Sequence, residues 1–194
     1  MRLDNPRIPP LGDEGWTPEQ ATLLEPFAKR KFIPNLYRTL AKNPAIAEAF
    51  NAALRQIRSN KLREREREIL ILRTGWLCRS GYEWNAHVHL GAKAGLSEQE
   101  LEQVKQGSAS PYWTGGEAAL CRAAEDLCAD QFVSDESWAL LRSHFDEQQC
   151  MDAIFVVGFY VLVCMFLNSC GVQLDRGAKL DPQILTAWGL ATPA

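Results

Sequence analysis

Glu68, Glu83 and His87 are the residues of this chain whose types and spacing suit proton transfer. Glu83 and His87 stand four apart in "SGYEWNAHVHLG", residues 80–91, so on a helix they share one face. Glu68 sits where "KLREREREILILRTGWLC", residues 61–78, changes from charged to apolar. On a helix it shares a face with Ile71, Leu72, Gly75 and Cys78, whereas Glu66 points to the other side. A carboxylate leading onto an apolar face resists ionisation, which suits acid/base work near neutral pH. The plain alternative is a surface glutamate in a solvated, charge-rich turn. His89 falls on the row Asn85, His89, Lys93, an outer face. Two histidines two residues apart cannot share a metal ion from one helix, so no metal site is expected.

Ser80 and Glu83 admit a second reading. "SGYE" has the S-x-x-E form of a capping box, in which Glu83 returns a hydrogen bond to the Ser80 backbone. Capping and catalysis are compatible, because a helix N-terminus favours an anion and could hold a developing carboxylate or enolate.

The elements that position these residues read as helix after helix. Capping signals recur as "TPEQ" (17–20), "SEQE" (97–100), "TGGE" (114–117) and "DEQQ" (146–149). Helices are expected near 18–30, 35–42, 45–59, 62–78, 81–94, 97–105, 115–130, 134–144 and 147–170. Gly81 is expected to break the chain between the two helices of interest. Period-2 alternation is nearly absent, so the class is all-α. Residues 1–16, rich in Pro and Gly, read as an extended N-terminal arm, and 17–194 as one all-helical domain. The apolar run 153–167 is shorter than the ~20 residues a spanning helix needs and reads as a central helix buried on all sides.

Composition narrows the partners. With 46% hydrophobic and 23% charged residues the chain can bury a core. Its net charge of −3, without a basic block interleaved with aromatics, argues against nucleic acid. The N-terminus lacks the apolar stretch of a secretory signal, so a cytoplasmic location off the membrane is expected, with the six cysteines reduced. No C-x-x-C occurs, so neither a zinc site nor a local dithiol is written.

With these residues in view, the chain resembles the carboxymuconolactone decarboxylase / alkylhydroperoxidase D-like superfamily, in its members lacking the thiol pair. Thiol members carry Glu, eleven residues, then Cys-x-x-Cys-x-x-x-His. Here Glu68, Ser80, Glu83 and His87 occupy those positions with the spacing kept. "RTLAKNPAIAEAF", "AGLSEQELEQV" and "FLNSCGVQLD" also look like the family. The resemblance covers roughly residues 32–175, best over 45–130. It implies an alkylhydroperoxidase D-like helical bundle that assembles with itself, as dimer to hexamer, with sites near subunit contacts.

In thiol members a glutamate and a histidine activate a cysteine that reduces peroxides. Ser80 and Glu83 cannot cycle through a disulfide, and Cys78 has no resolving partner visible in the sequence. The decarboxylase branch implies instead a cofactor-free lyase or isomerase acting on a small unsaturated acid or lactone. His87 is then the general acid/base, Glu68 its partner or a second base, and Glu83 the group that orients the imidazole. Arg79 or Arg73 would hold a substrate carboxylate, beside Ser80. Tyr82, Trp84, Trp76 and Phe32 would line an apolar pocket, although aromatics at helical spacing are more often plain core. A thiol-dependent peroxidase and a non-catalytic oligomeric binding protein are the alternatives.

Overall fold

Helix starts in this chain are set by side chains that satisfy the free backbone N–H groups of a first turn. Thr17 and Gln20 cap each other reciprocally, as do Ser97 with Glu100 and Asp146 with Gln149. At Thr114 the Glu117 carboxylate takes both the backbone N–H and the hydroxyl. The computed structural model describes residues 1–180 and 182–190, and among these no strand occurs. The helices are α1 Pro18–Ala28, α2 Asn35–Leu40, α3 Pro44–Ser59, α4 Glu64–Leu77 and α5 Gly81–Lys93. They continue as α6 Glu98–Gln106, a short 3₁₀ turn Gly107–Ala109, α7 Gly115–Asp130, α8 Asp135–His144, α9 Glu147–Cys170 and α10 Pro182–Ala187. The sequence reading omits α10, a two-turn helix opened by Pro182.

The chain divides into two compact units. One comprises the residues up to Arg58 with those from Phe166 onward, and the other is Ser59–Met165. In the first, the N-terminal arm is held by backbone bonds from Arg7 and Ile8 to the Cys170 carbonyl. The Asn35 N–H and side-chain amide bind Asp175 and the carbonyls of Gln173 and Leu174.

The second unit is built around α4, buried without interruption from Ile69 to Gly75 and packed on α5, α6 and α7. The N-terminal half of α4 is not the solvated turn its charges suggest. Arg65 donates to Glu100, Glu117 and the Gly95 carbonyl, fastening the capping glutamates of α6 and α7 to α4. That hydrogen bonding from Arg65 holds the Glu100 carboxyl down at about 2. Glu66, on the other side of the helix, is buried against Arg63, and Glu68 is buried as well.

The break after α4 lies at Arg79 rather than Gly81. Arg79 adopts the left-handed conformation (φ 51°), its N–H bonds the Trp76 carbonyl, and the Ser80 N–H bonds that of Gly75. This pair of bonds is a Schellman stop, and Gly81 is already the first residue of α5. It folds α5 back so closely that a side-chain carbon on Gly75 would lie 3.5 Å from Glu83 Cγ.

α9 departs from expectation. Val156, Val157, Val163 and Cys164 are buried, yet Met151, Ile154, Phe155, Leu162 and Met165 are exposed along one stripe. Polar residues at both ends extend it to 24 residues, long and apolar enough by length and composition to cross a membrane. Half of its most apolar window is buried inside the protein, as in a core helix with one open face.

Candidate active site

Glu68, Glu83 and His87 come together in the second unit. The His87 ring lies between the carboxylates, Nδ1 2.8 Å from Glu68 Oε2 and Nε2 3.0 Å from Glu83 Oε1. Glu68 is 7% exposed and Glu83 3%. Both carboxylates are thus withdrawn from water and reach the same ring from different helices, Glu68 from α4 and Glu83 from α5.

Electrostatics follow from this placement. Burial pushes the His87 pKa down, but the Glu83 charge and hydrogen bonds to both carboxylates outweigh it and raise it to about 10. At neutral pH the ring is an imidazolium donating from both nitrogens, flanked by two acceptors. The cluster is a carboxylate–imidazolium–carboxylate chain through which a proton can be handed in either direction.

The capping box read from "SGYE" is not formed. Ser80 makes no side-chain cap bond, and its hydroxyl is buried without a hydrogen-bond partner in the protein. Glu83 turns away from the cap to the imidazole of the next turn. Three of the other four boxes close reciprocally and at Thr114 the Glu117 carboxylate still returns to the cap, so the exception falls where the carboxylate has a competing cation.

The remaining candidates are spread more widely. Trp76 and Trp84 pack edge to face at 5.1 Å with the Lys105 ammonium over both rings, which makes them packing partners of α6. Tyr82 is buried. Arg73 is consumed by Glu125 and the carbonyls of Val104 and Lys105, so the expectation that it holds a substrate carboxylate fails. Arg79 is exposed at the α4–α5 corner. Phe32 belongs to the other unit and is 51% exposed. His89 is exposed, as its row on the helix requires.

Residues 44–126 match the model of the carboxymuconolactone decarboxylase family. The fold is that of AhpD-like proteins. A peroxidase-related protein of Ralstonia eutropha JMP134, described as an alkylhydroperoxidase AhpD core, superposes with TM-score 0.74 at 21% identity, covering 87% of this chain and 93% of that one. The match to the carboxymuconolactone decarboxylase family thus spans the middle of the chain, and the fold around it is AhpD-like. A protein from Agrobacterium tumefaciens, described as a putative antioxidant defence protein AhpD, gives TM-score 0.66 at 21% identity over 70% of this chain and 94% of that one. A variant of the debrominase Bmp8, in complex with 2,3,4-tribromopyrrole, gives 0.74 at 17% identity over 89% and 94%. Among curated proteins none matches the chain.

Two features of the site were missed in the sequence. Tyr160 of α9 stands edge to face on the His87 ring at 5.3 Å and is buried. The only signal for it is a polar-tipped residue inside the run "GFYVLV". The second is sulfur. Cys78, which has no resolving partner in the sequence, meets the thiols of both Cys128 and Cys164. Neither partner lies near it in the chain, so no motif could announce them.

Proposed function

We propose that the chain is a cofactor-free enzyme that moves a proton on a small unsaturated acid or lactone, with decarboxylation, elimination or isomerisation as the outcome. The observation that supports this most is the engagement of both His87 nitrogens by buried carboxylates. Packing alone requires neither charge, and burying three ionisable groups is costly unless they act together.

The occupied nitrogens also shift the expected division of labour. A proton leaves the chain through a carboxylate oxygen rather than through the ring. Glu83, in the first turn of α5 beside the buried Ser80 hydroxyl, is the terminal base that takes a proton from substrate carbon. The imidazolium passes its Nδ1 proton to Glu68 as Nε2 takes the new one from Glu83, and the reverse transfer returns a proton to the neighbouring carbon through the same Glu83 carboxylate. The α5 N-terminus and Ser80 stabilise the developing enolate, and Arg79 is the candidate for a substrate carboxylate. A second copy of the chain is proposed as partner, covering the open face of α9.

A panel of small lactones and unsaturated acids, incubated in D₂O and followed by NMR, tests the reading. Deuterium uptake or turnover is expected in the native chain, falling by about 10²-fold or more in Glu83→Gln and His87→Gln and unchanged in His89→Gln. Turnover that survives both site substitutions removes the relay from the reaction.

A further inference from the structure

The relay uses no sulfur, yet three thiols meet beside it. Cys78, at the C-cap of α4, lies in side-chain hydrogen-bonding contact with Cys128 in the last turn of α7 and with Cys164 of α9. Cys78 and Cys128 are partly exposed, whereas Cys164 is fully buried. We propose that Cys78 and Cys128 form a redox-modification site that takes small-molecule disulfides as its substrate class and closes into an internal disulfide.

The steps balance as thiol–disulfide exchange. The Cys78 thiolate attacks one sulfur of RSSR, its S–S bond breaks, RS⁻ leaves, and a Cys78–SR mixed disulfide results. The Cys128 thiolate then attacks the Cys78 sulfur and expels a second RS⁻. Protein (SH)₂ and RSSR become protein S–S and two RSH, the protons passing to the departing thiolates.

The surroundings decide which thiol does which. Cys78 is the contact shared by both neighbours, so a thiolate there receives two S–H donors, an arrangement that favours the nucleophile. The two candidates to resolve the mixed disulfide sit in opposite fields. Both thiols are pushed up by their hydrogen bond with Cys78 and by burial, but the Arg73 guanidinium opposes this at Cys128 while the Glu83 carboxylate adds to it at Cys164. Cys128 is also the one that solvent reaches. Cys164 stays a buried S–H between Cys78 and the Ser80–Glu83 corner.

The test exposes the fully reduced native chain to oxidised glutathione and reads intact mass and cross-linked peptides. The expected product is a chain lighter by two hydrogens with a Cys78–Cys128 cross-link. Cys128→Ser should stop at a single glutathione adduct on Cys78, Cys164→Ser should still close the internal bond, and Cys78→Ser should give neither. A Cys78–Cys164 cross-link would overturn the assignment. So would adducts spread over the six cysteines, or native thiols inert while the unfolded chain reacts. None of these readouts depends on proton-transfer turnover, so this site and the relay stand or fall separately.

Discussion

At the scale of the residue, the imidazole decides the behaviour of the site. A histidine held at about 10 by two carboxylates keeps its proton through the neutral range. The His87 ring resonances should therefore be flat between pH 6 and 8 and titrate near 10. Glu83→Gln keeps the shape but removes the carboxylate charge that raises His87 most, so the His87 midpoint should fall. An unmoved midpoint would return Glu83 to a packing role. The same shift is a stability statement. Because the folded value is raised, the contribution is complete below the unfolded value of ~6.5 and is lost as pH climbs through about 10. The gap in denaturation midpoint between the native chain and His87→Gln should be widest near pH 6 and shrink by pH 10.

At the scale of the element, the corner between α4 and α5 aims the site. Arg79 sits there in a left-handed conformation that costs a side-chain-bearing residue about 1–2 kcal/mol. Glycine removes that cost and adds about 0.5–1 kcal/mol of backbone entropy loss. Arg79→Gly should thus be neutral to stabilising, by about 0.5 kcal/mol, with the Schellman bonds kept. If Arg79 also holds a substrate carboxylate, the stabler variant should show a raised KM at unchanged kcat. A large loss of melting temperature would mean that the arginine side chain, and not the backbone turn, fixes the corner.

At the scale of the whole molecule, α9 faces two ways. Its buried side carries Tyr160 to His87, and its open side presents Met151, Ile154, Phe155, Leu162 and Met165, offsets of 0, 3, 4, 11 and 14 that keep them on one helical face. A contiguous apolar stripe of this kind is uncommon on a lone soluble domain. The native chain should sediment as an oligomer, and Leu162→Glu, at a position already exposed, should shift it toward monomer without unfolding it. A native chain that sediments as a monomer would leave the stripe without the proposed partner.

What the sequence determined by itself was local. Capping residues, proline stops and 3.6-residue periodicity placed the helices from α1 to α9 within a few residues, because each signal acts over a single turn. The Glu68–Ser80–Glu83–His87 spacing pointed to the pair of helices and to the chemistry. The tertiary structure decided everything that depends on which groups meet across elements. Glu83 looked equally like a cap partner and an imidazole partner, since both bonds are within its reach, and only the burial of a cation beside it selects the second. Glu66 and Arg73 read as exposed or available charges, because a sequence does not show the counterion or carbonyl that consumes them. Tyr160, Cys128 and Cys164 lie far along the chain from the groups they touch, and only the packing of α7 and α9 brings them there.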